Sequence, residues 1–258
     1  MVDPLDMTGR AVLVTGGARG IGRGITETFL AAGADVIICG RTEPTDRPSA
    51  SDRVAGFAAA DVRDPDAVDA LVAETVARLG RLDVLVNNAG GAPAADTATV
   101  SARFSKAIIE LNLLAPLVCS QRANAVMQDQ DDGGVIVNIA SVSGLRPSPG
   151  AAAYGAAKAG LLNLTETLAM EWAPKVRVNA ISAGLIRTEQ SHLHYGDEAG
   201  IAAVGATVPL GRMGTPTDVA NVCLFLASPL AAYVNGANLV LHGGGERPAY
   251  LDAAEGIS

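Results

Sequence analysis

The sequence predicts a doubly wound α/β fold, a single domain over 1–258 built on a parallel sheet of seven strands. Three observations carry this reading. Short β-branched runs alternate with Ala-rich helical stretches from end to end, the order that a parallel sheet with right-handed crossovers requires. Most of those runs are apolar without alternation, as strands covered on both faces are. A glycine-rich turn, residues 15–22 (TGGARGIG), joins the first run to the first helical stretch. No linker, repeat or low-complexity tract divides the chain.

The elements follow in order. Residues 11–15 (AVLVT) read as the first strand, and 20–32 as a helix opened by the glycine turn. The second strand is 35–39. Residues 41–52 (RTEPTDRPSASD) contain two prolines and no helical apolar period, so the link to the third strand, 54–59, is expected to be a loop with little or no helix. Asp64 followed by Pro65 places an N-cap before a proline at the first helical position, opening the helix 64–79. Strands at 82–86, 135–139, 176–181 and 238–241 alternate with helices at 101–129, 152–172 and 217–226.

Composition narrows the function classes. The net charge of −8, with no basic run, opposes nucleic-acid binding. No apolar run reaches the roughly 20 residues of a membrane span. The first ten residues carry Asp3 and Asp6 and lack the apolar core of a signal peptide, so a cytoplasmic location is expected. Cys39, Cys119 and Cys223 are odd in number and lie among apolar neighbours, which reads as buried free thiols in a reducing compartment. His192, His194 and His242 form no metal-ligand pattern, and no metal is expected.

The glycines at Gly16, Gly20 and Gly22, between a strand and a helix N-terminus, suit a dinucleotide pyrophosphate: backbone N–H groups and the helix dipole favour the anion. Ile21 lies within the same turn. An acidic residue after the second strand would select a free ribose, but Gly40 and then Arg41 stand there. With Arg19 in the turn, two guanidiniums and no carboxylate suit a 2′-phosphate, favouring NADP(H) over NAD(H). The less covered crossover 41–52 leaves that adenosine end open. Asp61, followed by Val62, either meets the adenine amino group or simply ends its strand.

Tyr154 and Lys158 lie four residues apart, on one face of the predicted helix 152–172. A lysine charge there favours the phenolate, so that the tyrosine can exchange a proton near neutrality. Ser141, thirteen residues upstream, is placed to hold a substrate oxygen beside that phenol.

TGGARGIG, Asp61, NNAG at 87–90, Asn112, Ser141 and Tyr154-x-x-x-Lys158 fall in an order that resembles the short-chain dehydrogenase/reductase family, of the one-domain type. The likeness runs from the first strand to 239–244 (LVLHGG). It implies an Asn112–Ser141–Tyr154–Lys158 tetrad. Tyr154 would be the general acid/base, and Lys158 would depress its pKa and bind the nicotinamide ribose. Ser141 would polarise the substrate oxygen, and Asn112 would hold a water that links Lys158 to solvent. Asn87, Asn88, Ala89 and Gly90 would wall the cofactor cleft, while Gly184, Ile186 and Thr188 would contact the nicotinamide amide. Hydride would pass between the nicotinamide and a carbonyl or secondary alcohol of a small-molecule substrate.

Two departures stand out. Ala183 precedes Gly184 where the family usually has proline, which is expected to free the backbone there. His242 replaces the usual Asp before Gly-Gly. Residues 188–208 would form the substrate loop and lid, with Gly196, Gly200 and Gly205 as hinges; Arg146 and Arg187 are the nearby candidates for an anionic substrate. 3-Oxoacyl-thioester, ketone, sugar and steroid reductases all fit. The resemblance also implies a homotetramer, joined by the helices 101–129 and 152–172 and by the C-terminal strand; the tail 246–258 is expected either to cross to a neighbouring subunit or to remain disordered.

Overall fold

The central apolar runs become strands covered on both faces. The computed structural model describes residues 3–251. In chain order its elements are β1 (Ala11–Thr15), α1 (Gly20–Ala31), β2 (Asp35–Gly40), β3 (Ser49–Ala50), β4 (Arg53–Val54), β5 (Gly56–Ala59), α2 (Pro65–Leu79), β6 (Val84–Asn87) and α3 (Ala102–Ile109). There follow α4 (Ala115–Asp129), β7 (Gly134–Ser141), α5 (Ala152–Trp172), β8 (Val176–Ala183), α6 (His192–Tyr195), α7 (Glu198–Ala206), α8 (Pro216–Ala227) and β9 (Asn238–Leu241).

Seven strands form one parallel sheet in the order β5-β2-β1-β6-β7-β8-β9. The chain winds outward from β1 to β5, returns beside β1 at β6, and then winds the other way. The direction changes between β1 and β6, and a crevice at such a switch point, beyond the carboxyl ends of the strands, is where this topology binds ligands.

The absence of alternation has a direct cause. Val12 and Val14 of β1 face one helical layer, where Ile25, Phe29 and Leu30 of α1 meet Val219, Cys223 and Leu226 of α8. Leu13, between them, faces the other layer, where Val68 and Leu71 of α2 and Cys119, Ala123 and Met127 of α4 pack. Both faces are dry, so every position is apolar; each large side chain buried this way contributes about 1.5–3 kcal/mol. The three cysteines are free and buried, and burial pushes the Cys39 and Cys119 thiols up to about 12. None of the described helices is long and apolar enough to cross a membrane.

The Asp64–Pro65 signal works as expected: the Asp64 carboxylate accepts from the Asp66 N–H, and Gly80, at φ 79°, closes α2. The crossover 41–52 is indeed without helix, but it holds a hairpin that the sequence reading missed. Ser51 and Asp52 adopt φ of 49° and 61°, the two-residue turn geometry of a tight hairpin, and pair β3 with β4. Val54 is therefore in β4, and the third sheet strand is shorter than 54–59. The predicted helix 101–129 is interrupted by a π turn, Glu110–Leu114, because Pro116 has no N–H to offer the carbonyl four residues back.

The fourth sheet strand begins at Val84 rather than 82, because Asp83 serves as a clamp at the opposite end of the sheet from the crevice. Its carboxylate, almost wholly buried, accepts from the Ala11 N–H at 2.8 Å, from Arg10 at 2.9 Å and from Arg81 at 2.6 and 2.7 Å. Asp83→Ala would leave the buried Ala11 N–H without its acceptor and the Arg10 and Arg81 guanidiniums with the exposed Asp132 alone. A loss of about 2 kcal/mol is expected, read as a lower urea midpoint at unchanged slope.

Candidate active site

The glycine turn leaves β1 at the switch point. Gly16 and Gly20 have φ of 63° and 53°, left-handed values that favour glycine. At Gly22 a side chain would strike the Gly16 carbonyl, so only glycine lets α1 approach the turn this closely. Arg19 is the N-cap of α1 in extended conformation, and Ile21 packs against the core. The turn already holds an anion: the Gly20 N–H donates to a Glu189 carboxylate oxygen at 3.0 Å. A cradle of this shape, with N–H groups at a helix N-terminus occupied by a carboxylate, fits a pyrophosphate.

Across the crevice, the segment after β6 is tied to the turn. The Asn88 amide donates to the carbonyls of Thr15 (2.9 Å) and Gly16 (3.1 Å). The Thr15 hydroxyl accepts from the Asn88 and Ala89 N–H groups at 3.0 and 2.9 Å. Thr15 escaped the sequence reading, although its place immediately before the glycines marked it. Asn87 looks inward: its amide donates to Ser120 (2.9 Å) and to Asn138 on β7 (2.8 Å), and Asn138 donates to Thr165 on α5 (2.9 Å). This buried relay pins α5 to the sheet.

Asn112 lies on the π turn and is fully buried. Its amide donates to the Gly91 carbonyl at 3.0 Å and to the Ile108 carbonyl at 2.9 Å, while its Oδ1 accepts from the Gly91 N–H at 2.9 Å. A β-carbon built on Gly90 would lie 2.7 Å from Asn112 Oδ1 and 3.4 Å from Lys158 Nζ; glycine at 90 leaves that space between the two polar groups open.

Ser141 ends β7 and Tyr154 and Lys158 stand on the first turns of α5. The Ser141 hydroxyl lies beside the Tyr154 phenol and favours its ionised form, and Ser141 Oγ accepts from the Ser143 N–H at 3.1 Å. Lys158 is 3% exposed; its ammonium donates to the Ile139 carbonyl at 2.7 Å and lies 5.6 Å from the centre of the Tyr154 ring. Desolvation lowers the Lys158 pKa to about 8. The expected depression of the tyrosine is corrected: burial raises the Tyr154 pKa, and the Ser141 hydroxyl offsets this only in part. The phenol of the free protein is therefore protonated at neutral pH.

Arg19, in the glycine turn, and Arg41, just past β2, are exposed, and neither joins an ion pair among the described residues. Asp61 is held by its neighbour Arg63, at 2.9 and 2.5 Å, which lowers its pKa to about 2, with a smaller contribution from the charge of Arg41. Val62 is buried beneath it.

On the substrate side, Ala183 does not free the backbone. β8 continues through it, paired with Ser141 on one side and Leu241 on the other, and the Gly184 N–H donates to the Leu241 carbonyl at 2.8 Å. Ile186 bridges to Gly214, and the Thr188 methyl group faces Gly20. Residues 188–208, the expected lid, hold α6 and α7. Of their three glycines only Gly196 has a left-handed φ, 78°; Gly200 and Gly205 are helical and pack against Tyr195 and Met213. Arg146 is ion-paired with Glu246, and Arg187 with Glu198 at 2.7 Å. The tail from 252 onward lies outside the described residues.

Comparison with known proteins agrees with this geometry. A family model described as enoyl-(acyl carrier protein) reductase matches residues 16–246. A 3-oxoacyl-[acyl-carrier-protein] reductase of Chlamydia muridarum is 37% identical over 92% of this chain and 98% of its own. A 3beta-hydroxysteroid dehydrogenase of Eggerthella lenta is 35% identical over 93% and 94%. The solved structure of Thermoplasma acidophilum aldohexose dehydrogenase superposes with a TM-score of 0.84 at 31% identity, over 93% of this chain and 94% of that one. A seven-stranded parallel sheet, a glycine-rich turn at its switch point and relatives of this kind make the chain a member of the short-chain dehydrogenase/reductase family, an oxidoreductase acting between a nicotinamide cofactor and carbonyl or alcohol substrates.

Proposed function

We propose that the chain is an NADP(H)-dependent carbonyl reductase or alcohol dehydrogenase in which Tyr154 is the general acid/base. The observation that carries this reading is the Ser141 hydroxyl beside the Tyr154 phenol, with the buried Lys158 ammonium 5.6 Å from the centre of that ring. When bound, the nicotinamide supplies or accepts the hydride. The chain's own residues handle the proton. A phenol kept protonated by burial is suited to donate to a carbonyl oxygen that the Ser141 hydroxyl positions. Lys158, with a pKa of about 8, is suited to return that proton. One of its N–H bonds is spent on Ile139, and the others suit the ribose hydroxyls. Asn112, fixed by Gly91 and Ile108, lies at the inner end of that path and is suited to hold the relay water.

Gly16, Gly20, Ile21, Gly22, Asn88, Ala89 and Gly90 would line the dinucleotide, with Gly184, Ile186 and Thr188 at its amide end. Unpaired Arg19 and Arg41, with Gly40 in place of an acid, support a 2′-phosphate. Asp61 and Val62 would border the adenine. Exposed Ile109 and Leu114, Met170 on α5 and Val240 on the edge strand β9 support a homotetramer, and three buried thiols support a cytoplasmic location.

Tyr154→Phe is expected to lower kcat by about 10²–10⁴ while NADPH binding, followed by fluorescence, persists; undiminished turnover refutes the mechanism. Arg41→Ala should raise the KM for NADPH about tenfold, the loss of one charged hydrogen bond, and leave that for NADH unchanged. Lys158 gives a pH test. Its pKa is about 8 in the folded chain against an ordinary 10.5, so the burden of its buried charge is full below pH 8. It is relieved as pH rises to 10.5, where the unfolded chain binds more protons. Lys158→Met should thus be more stable than the parent at pH 7 by about 2 kcal/mol: about 3 from the charge, less about 1 for the lost Ile139 partner. That advantage should shrink as urea midpoints are measured from pH 8 towards 10.5.

A further inference from the structure

Three arginines at the substrate end of the site, Arg146, Arg187 and Arg212, are each neutralised in an ion pair. The Arg146 guanidinium, on the loop after Ser141, meets the Glu246 carboxylate and also donates to the Pro147 carbonyl (3.0 Å) and the Ser148 hydroxyl (3.2 Å). Ser148 donates to Ser143 Oγ at 2.9 Å, and the Ser143 N–H donates to Ser141 Oγ. The Arg146–Glu246 pair is thus joined by hydrogen bonds to the serine that lies beside Tyr154. Arg187 is paired with Glu198, and Arg212 with Asp218 at 2.7 Å. The expected lid, 188–208, adds Glu189, Asp197 and Glu198 but no lysine or arginine, and the sequence after 251 (DAAEGIS) adds none either.

The backbone is shaped to deliver Glu246 to this position. Gly243, Gly244 and Gly245 have φ of 63°, 100° and 91°, and so turn the chain sharply after β9. Side chains at 243 and 244 would press on Val208 and Pro209, at 2.7 and 2.9 Å, where the lid ends. Arg247, just past Glu246, fastens the turn, its N–H donating to the Thr207 carbonyl at 3.3 Å. The Glu246 charge is also felt by Tyr195 of α6, whose pKa is raised by burial and then by that carboxylate. One carboxylate of the tail therefore pairs with the catalytic loop and faces the lid.

We propose that Glu246 is a specificity-determining residue: by neutralising Arg146 it reserves the substrate end for uncharged carbonyl or alcohol compounds, against carboxylates and phosphate-bearing thioesters. This rests on the oxidoreductase reading above. An unpaired guanidinium would bind a carboxylate or phosphate through two parallel hydrogen bonds. Paired with Glu246 it offers an anion no net charge, and the acidic lid repels one, so discrimination comes from the disfavoured partner as much as from the favoured one.

The test is a set of 3-oxo ethyl esters, each with its free carboxylate, together with acetoacetyl-CoA, followed at the nicotinamide absorbance with NADPH and NADH. The parent chain should turn over esters with kcat/KM about tenfold or more above the carboxylates and the thioester. Glu246→Gln should raise kcat/KM for carboxylates about fivefold, the worth of one exposed charge pair, with esters unchanged. The double variant Glu246→Gln/Arg146→Gln should restore the parent ratio. Arg146→Gln alone, which bares the Glu246 charge, should lower carboxylate turnover further. Preference of the parent for carboxylates or the thioester, or a ratio indifferent to Glu246→Gln, overturns the assignment and leaves the oxidoreductase reading intact. Cofactor binding without turnover of any compound overturns both.

Discussion

The site depends on a tie across the switch point. β1 and β6 are neighbours in the sheet, but the chain leaves them for opposite sides, and nothing in the strand ladder fixes the loops that follow. The Asn88 amide and the Thr15 hydroxyl supply that fixation, with four hydrogen bonds of 2.9–3.1 Å between the glycine turn and the segment after β6. The Asn87–Asn138–Thr165 relay then carries the same registration through β7 into α5. Thr165 lies two turns beyond Lys158 on the helix, so the placement of the Tyr154–Lys158 face relative to the glycine turn is set by buried amides and hydroxyls. In a dry interior such a network is strong when fully satisfied and damaging when broken.

The fold was legible because a doubly covered parallel sheet imposes a composition: Val12, Leu13 and Val14 must all be apolar when both faces are packed. The glycine turn was legible because a left-handed φ and close approach leave few other residues. Tyr154, Lys158 and Ser141 could be picked out by chemical type and spacing. What stayed hidden depends on contacts between distant segments. Glu246 lies 100 residues from Arg146, and nothing local to either arginine or glutamate announces the pair. Glu189 on Gly20, 169 residues apart, is equally silent in the sequence. The Ser51–Asp52 turn was missed for another reason: it uses left-handed φ without glycine, so its usual signal is absent.

Lys158 shows how a site can oppose the fold that carries it. A buried ammonium with one carbonyl partner is costly, and its pKa records that cost. The apolar layers on either side of the sheet are extensive enough to tolerate it, and stability given up at functional positions is a general feature of enzymes. Tyr154 is subject to the same burial with the opposite sign: the acid is kept protonated while the base is pushed to release its proton. The two pKa values, nearly equal in water, are thereby driven apart, so that the phenol holds its proton while the ammonium gives its own up readily.

The π turn at Glu110–Leu114 has a consequence in the currency of insertions and deletions. A π turn closes on the fifth residue rather than the fourth, so it amounts to one surplus residue in a helix that would otherwise run from α3 into α4. Excising a residue from 110–114 would leave the flanking helices in phase with each other and their packing largely intact. What would vanish is the local widening that turns Asn112 towards Gly91. The position most deeply involved in the site is thus carried by a residue count the scaffold itself does not need, and a lineage could lose or regain it by a single-codon event without refolding the domain.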